Sequence, residues 1–326
     1  MIEEAKKLLA GTREFSISTK IPKDWLIREE RIWDVKLGQE SIKNRLNKTI
    51  SAALPGSYVV DGEMRVIFDY SDGSVKLQRN ELFVFGRYKK HTAGLSQSRW
   101  ICQKCNGKGC KECNGKGRHY ESVEERIGEP MRKAADGEAY VMHASGREDV
   151  DATNSAGRAF VMEVKNPKKR ELDLEKLEKD IAGTGEVSVE GLRTISRRQV
   201  ELVTESHFDK TYEAEVGFGR ELSSSDIKKI KEIEGKTLLQ RTPKRVAHRR
   251  ADMVRHRKVK RLDVKNVKER NATIIVKAEA GTYIKELISG DDGRTSPSIA
   301  AVIGTGAVCT KLDVKEIDDS FLDFVI

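Results

Sequence analysis

Long apolar runs are missing from this 326-residue chain. No stretch approaches the ~20 consecutive apolar residues of a membrane-spanning helix, so a helical membrane protein is excluded. Cysteine is scarce: five residues do not make a disulfide framework in a chain of this length. Aromatic residues amount to only 6%, and no long repeat or low-complexity tract is visible. The first residues, Met1 to Lys7, carry Glu3 and Glu4 and are too acidic for a signal or transit peptide. A cytoplasmic protein is expected. What remains is a charge-rich chain. Lys and Arg number 61 against 52 Asp and Glu, a formal net charge of +9. Such a basic globular chain points to a polyanionic partner, most simply nucleic acid.

The length suits about two domains with separate cores. Residues 1–100 read as a small α/β unit. A short helix leads to a strand at 15–21. A helix over 41–54 follows, with Ile42, Leu46, Ile50 and Leu54 on one face. Strands are predicted at 64–70, 74–78 and 82–88, and Ser71-Asp72-Gly73 makes a hairpin turn between the first two. Helices are predicted over 122–135, 171–183, 225–234 and 282–287, and strands at 187–189, 210–218 and 272–279. The segment 241–261 carries ten Lys or Arg against one acid, Asp252.

Four of the five cysteines fall in one place. Cys102-Gln103-Lys104-Cys105-Asn106-Gly107-Lys108-Gly109 is followed at once by Cys110-Lys111-Glu112-Cys113-Asn114-Gly115-Lys116-Gly117, the same CxxCxGxG unit written twice. Each CxxC places two thiolates on one ion, and Cys102, Cys105, Cys110 and Cys113 together complete a tetrahedral zinc site. Four thiolate ligands leave no open coordination position, so the expected zinc is structural. Residues 101–118 are therefore predicted as a zinc module.

The candidate for chemistry is the stretch Ala144 to Asp151, in which Asp149 and Asp151 stand near Arg147. Small residues crowd the connection between the apolar runs 140–142 and 160–164, which predicts a loop between two strands. A carboxylate beside an arginine can stay ionised in a pocket that excludes water, as a nucleophile or general base must. Three further stretches bear on it. The strand around Lys210-Thr211-Tyr212 displays a tyrosine. At Ala278 to Leu287 a strand turns through Gly281 into a helix, with Lys285 near the turn. Gly290 to Ser298 is a basic, glycine-rich loop containing Arg294, able to meet phosphate.

Taken together, GREDVD, KTY, AGTYIKELISGDDGRTSPS and the GRYKKHTAGLSQSRW segment before the cysteines resemble the Pus ten type of tRNA pseudouridine synthase found in archaea. GTYIK is also similar to the GTYIR of the wider TruB family. The resemblance runs over most of the chain from about residue 80. It implies an α+β fold: a mixed, largely antiparallel-sheet pseudouridine synthase catalytic domain over 119–326. Residues 1–100 are then a smaller α/β, THUMP-like RNA-binding domain.

The implied activity is isomerisation of uridine to pseudouridine in the T loop of tRNA, at positions 54 and 55. The resemblance assigns Asp149 as the catalytic aspartate, with Asp151 as the fallback, and Tyr212 as the tyrosine packing against the target base. It makes Lys285 the basic partner of the aspartate, and Ile284 and Leu312 the apolar pocket residues. Arg147, Lys244, Arg245, Arg249, Arg250, Arg255, Arg257 and Arg294 are the expected RNA contacts. The expected partner is tRNA, through its T loop and arm. No organic cofactor, membrane association or obligate protein partner is implied. The chain departs from the family pattern at Ala152 to Phe160, where the usual arginine, leucine and proline after GREDVD are absent.

Two other readings remain open at this level. A non-catalytic zinc-containing RNA-binding protein or RNA chaperone would use the cysteine repeats and the basic face alone, leaving R-x-D, KTY and GTYIK unexplained. A metal-dependent nuclease would hold Mg²⁺ on Asp149 and Asp151, yet no further acidic cluster completes a two-metal site.

Overall fold

A computed structural model of the chain describes residues 1–32, 40–60, 62–247 and 250–326. It divides into two compact units. The first is Met1–Phe83 with Arg132–Tyr140 and Glu163–Leu172; the second is Val84–Met131, Val141–Met162 and Asp173–Ile326. The first unit is thus discontinuous in sequence, and the cysteine repeats belong to the second.

In the first unit, α1 (Ile2–Leu8), β1 (Glu14–Lys20), α2 (Lys23–Ile32), α3 (Ile42–Ala53), β2 (Ser57–Tyr58), β3 (Met64–Asp69) and β4 (Ser74–Arg79) follow in chain order. The sheet runs β2-β1-β3-β4, with β1 parallel to β2 and β3, and β3 antiparallel to β4. The α3 stripe read from the sequence is observed. Ile50 and Leu54 are buried and Leu46 packs beside them, against Phe15, Ile17, Val66 and Phe68 of the sheet. Ser41 caps the helix by accepting a hydrogen bond from the Asn44 amide at 3.3 Å. The predicted hairpin turn closes through Gly73 at φ 73°, a conformation that favours glycine.

The second unit holds the larger part of β5 (Leu82–Lys90), α4 (Val123–Ala134), β6 (Ala139–Ala144) and β7 (Thr153–Lys165), and all of α5 (Leu174–Ala182), β8 (Val187–Ile195), α6 (Arg197–Thr204) and β9 (Lys210–Phe218). It continues with α7 (Ser224–Lys231), β10 (Thr237–Arg241), β11 (Val254–Lys268), β12 (Asn271–Ala278), α8 (Ile284–Ser289), β13 (Thr295–Ser296), α9 (Ile299–Ile303), β14 (Ala307–Ile317) and α10 (Leu322–Val325). Among the described residues these strands form one ten-stranded sheet, ordered β13-β10-β11-β12-β9-β14-β7-β5-β8 with β6 beside β7. The ladders from β10 to β12, and from β12 through β9 to β14, are antiparallel; β14 and β7 touch in parallel at Asp313–Thr153 and Val314–Asn154. The fold is α+β with a mixed, largely antiparallel sheet, as expected.

Alternation explains the core. In β12, Ala272, Ile274, Val276 and Ala278 are buried while the residues between them are not. They pack with Ala214 and Val216 of β9, and with Ile284, Leu287, Ile288, Ile299 and Ile303 from α8 and α9. Two stretches differ from the sequence reading. Strand β7 begins at Thr153, so the loop after the acidic motif is shorter than expected, and residues Gly157 to Val164 are buried on both faces. Where both faces are covered, the alternating signature disappears. The basic segment begins at the last residue of β10 and contains the first half of β11, whose charged side chains masked the strand pattern; β11 also carries two register shifts, at Val259/Arg261 and Lys265/Lys268.

Candidate active site and metal centre

A cleft of about 730 Å³ opens in the second unit beside the acidic loop. Its walls come from the loop itself, from β9, β14 and α8, and from the basic segment. Register explains the meeting. Tyr212 of β9 stands opposite Val314 of β14, and Ala214 opposite Leu312, so Tyr212, Leu312 and Val314 share one sheet face and all line the cleft. The parallel contact between β7 and β14 brings the residues before Thr153 to that same place. Asp313 holds the junction, accepting from Thr153 Oγ1 at 2.9 Å and from Ser155 Oγ at 2.6 Å.

The turn into α8 is fixed from β10. Gln240, fully buried, donates to the Tyr283 carbonyl at 2.9 Å and accepts from the Tyr283 amide at 2.9 Å. Gly281, at φ 78°, makes the bend; an added Cβ would stand 3.4 Å from the Arg257 guanidinium. Ile284 and Lys285 follow directly. Ile284 and Leu312 are 3% and 6% exposed, and they give the cleft an apolar patch beside its charges.

Asp149 faces two cations. Arg245 donates to Asp149 Oδ1 at 2.7 Å, and Lys285 Nζ lies 3.7 Å from Oδ2. Arg245 also donates to Glu286 Oε1 at 2.7 Å, and Glu286 is buried. Lys285 makes its shortest contacts with the more exposed Asp151, at 2.5 and 2.6 Å. Lys285 thus stands between Asp149, the expected catalytic carboxylate, and Asp151, its fallback. Tyr212 lines the same cleft, and burial, the leading cause, pushes its phenol up to about 12. Lys210, also at the wall, is pulled down to about 8, first by burial and then by the charge of Arg158.

Of the expected RNA contacts, Arg147, Arg245, Arg250, Arg255 and Arg257 line this cleft. Lys244 and Arg294 lie instead in a separate shallow depression beside β10. There Lys244 pairs with Asp292 at 2.6 Å, and Arg294 donates to the Thr242 carbonyl at 2.7 Å and to Asp252 at 3.1 Å. Arg249 falls outside the described residues. Arg245, expected at phosphate, is the arginine on Asp149. No local pattern signals that contact, because 96 residues separate the two.

Behind the loop lies a network that sequence reasoning missed. Arg158 and Glu148 form an ion pair at 2.9 Å with both side chains 1% exposed. Tyr88 donates its hydroxyl to the same carboxylate, at 2.8 Å to one oxygen and 2.9 Å to the other.

The four repeat cysteines converge. Their sulfurs all lie within 4.8 Å of one another, and the pairs 102–110, 105–113 and 110–113 are each 3.8 Å apart. A tetrahedron of Zn–S bonds near 2.3 Å has edges of about 3.8 Å, so the spacing fits a tetrahedral ion. Backbone amides of Gly109, Cys110 and Gly117 donate to Sγ of Cys105, Cys113 and Cys113 at 3.2, 3.2 and 3.1 Å, as expected around thiolates. The glycines permit this approach: a Cβ on Gly109 would sit 2.6 Å from the Gly115 carbonyl oxygen. The four-cysteine cluster is compatible with a metal ion.

The geometry defines a basic cleft built around one carboxylate, with a closed four-cysteine centre elsewhere in the same unit. The family model "Pus10, C-terminal" matches residues 83–318. A "tRNA pseudouridine synthase Pus10" of Korarchaeum cryptofilum is 36% identical over 97% of this chain and 89% of its own length. The protein of that name from Methanocaldococcus jannaschii is 42% identical over 76% of this chain, a match spanning 55% of that relative; the one from Archaeoglobus fulgidus is 39% identical over 84% of this chain and 78% of its own length. The chain belongs to the Pus10 family. Among solved structures, one described as a Cbf5-Nop10-Gar1 complex is similar at 22% identity and a TM-score of 0.35, covering 57% of this chain and 43% of that one, a likeness too slight to carry an argument. No helix among the described residues is long and apolar enough to cross a membrane.

Proposed function

We propose that this protein is a tRNA pseudouridine synthase, an isomerase acting on uridines 54 and 55 of the T loop. The observation that carries the reading is Asp149 held between Arg245 and Lys285, beside Tyr212, Ile284 and Leu312, in a cleft rimmed by arginines. The reaction breaks the N1–C1′ bond, turns the uracil and joins C5 to C1′. C5 loses a proton and N1 gains one, so no atom is added and no redox cofactor is consumed. Asp149 supplies the carboxylate, as nucleophile or base. The apolar Ile284 and Leu312 keep water from the reactive intermediate, and the Tyr212 ring gives the flipped base a stacking face. Arg250, Arg255 and Arg257 meet the phosphates that lead into the cleft.

The first unit, whose N-terminal part is Met1–Phe83 rather than the expected 1–100, serves as a THUMP-like RNA-binding domain, and the enzyme works in the cytoplasm. Cys102, Cys105, Cys110 and Cys113 hold a structural zinc, which shapes the module and takes no part in the chemistry. Metal analysis of the purified protein should find about one zinc per chain; a content well below that removes the zinc assignment.

The test uses unmodified tRNA transcript, purified protein and no cofactor, with pseudouridine mapped by carbodiimide and primer extension. Conversion in the T loop by wild type and by Asp151→Asn, with none by Asp149→Asn, is the expected result. Tight tRNA binding without conversion by wild type would instead favour a non-catalytic RNA-binding protein.

A further inference from the structure

The loop that carries Asp149 is also held by side chains that donate to its backbone. Arg158 donates to the Ser145 carbonyl at 2.8 Å and Gln97 to the Gly146 carbonyl at 2.7 Å. Lys90, at the end of β5, is 1% exposed. Its ammonium has three hydrogens, and three carbonyl oxygens converge on it: Leu95 at 2.9 Å, Asp149 at 3.0 Å and Val150 at 3.1 Å. Two of those three belong to Asp149 itself and to the next residue. The Gly94 amide donates to the same Val150 carbonyl at 2.8 Å, so the turn after β5 and the Asp149 loop are tied at one point.

A buried lysine is costly unless every donor is used, and here every donor is used on backbone. An apolar side chain of the same length would fill the space, take the donor from the Leu95 carbonyl, and leave the Asp149 and Val150 carbonyls with the Ala152 and Gly94 amides alone. The converging carbonyls, together with the negative charges of Glu148, Asp151 and Asp149, offset the burial of this cation.

We infer that Lys90 is a positioning residue, fixing the Asp149 backbone so that the carboxylate meets Arg245 and Lys285 in the cleft. This rests on the reading of Asp149 as the catalytic carboxylate. Its effect is on placement: a reacting group displaced by about 1 Å loses on the order of a hundredfold in rate while binding is spared.

The test compares wild type, Lys90→Met and Lys90→Arg in the full chain. Three readouts are taken: thermal unfolding, peptide-resolved hydrogen exchange, and single-turnover conversion of tRNA transcript alongside its Kd. For Lys90→Met, kcat should fall about a hundredfold with Kd within about twofold of wild type. Faster exchange should be confined to 145–152 and 91–97, with β9 and β12 unchanged. Should Lys90→Met fail to fold, the same comparison is made on Lys90→Arg, which keeps the charge and the donors; it should recover part of the rate. A folded Lys90→Met with wild-type kcat and wild-type exchange overturns the inference. So does loosening spread evenly over the chain, which would mark a role in stability alone. If wild type makes no pseudouridine, the functional reading fails, yet the exchange pattern at 145–152 still decides whether Lys90 holds the loop.

Discussion

Glu148 and Asp149 are consecutive carboxylates, each on an arginine, and their surroundings are opposite. Glu148 points inward to Arg158, with both side chains 1% exposed, and takes the Tyr88 hydroxyl as well. Asp149 points outward to Arg245, and these side chains are 27% and 34% exposed. The inner pair has lost its water and every oxygen is committed. The outer pair keeps access to solvent and can exchange partners. Adjacent residues in one loop thus divide the work: one carboxylate anchors and the other is available to a substrate. Lys285 sharpens the division, because it bridges Asp151 closely and Asp149 at longer range.

The largest expected effect comes from the outer pair. Asp149→Asn should lower single-turnover conversion by about a thousandfold or more, with tRNA affinity and thermal stability nearly unchanged. Asp151→Asn removes an exposed partner of Lys285 and should leave conversion within a fewfold of wild type. Equal losses in the two variants would erase the distinction between the carboxylates.

The inner pair should behave in the reverse way, through stability. Arg158→Met leaves a buried carboxylate without its cation, on the Tyr88 hydroxyl alone, and should cost about 3–5 kcal/mol in denaturant unfolding. Pairing it with Glu148→Leu should cost less than the single change, since no charge is then stranded. A double variant as damaged as the single one would show that the cation, rather than the pairing, matters.

The smallest effect concerns Lys210, whose folded value of about 8 lies below the ordinary 10.5, mainly through burial. Below about pH 8 both folded and unfolded chains hold the proton, and the fold bears the cost of the buried charge. Between about 8 and 10.5 the folded chain sheds the proton while the unfolded chain keeps it, so this group's contribution to stability rises with pH. Relative to Lys210→Met, wild type should therefore gain up to about 3 kcal/mol from pH 7 to pH 10.5 in paired unfolding curves. A difference that stays flat with pH would mean that Lys210 is not desolvated.

The elements legible in the sequence were those with strong local signals. The α3 stripe, the β3–β4 hairpin and β9 fall within a residue or so of their predicted bounds. Strand β7 was read late because its buried half has no alternation, and its first half is small and polar. The first half of β11 was read as a basic stretch because arginine and lysine alternate with its few apolar residues, and the five-residue β10 was too short to stand out. Of the site, Asp149, Tyr212, Ile284, Lys285 and Leu312 are legible in short motifs, and the cleft brings all five together. Arg245 at Asp149, Gln240 at the α8 turn and Lys90 behind the loop carried no signal, because each acts on a backbone or carboxylate far away in the chain.

Composition, the doubled CxxCxGxG unit and the separate short motifs belong to the sequence by itself. They follow from residue type and spacing within a few positions, which one turn or one strand can realise. Which carboxylate faces the cleft, which cation meets it and which lysine holds its backbone were settled only by tertiary structure. Those contacts depend on strand register: β9 beside β14, and β14 beside the start of β7, place residues from opposite ends of the chain on one face. A shift of one residue in that register would turn Tyr212 and Leu312 away from Asp149.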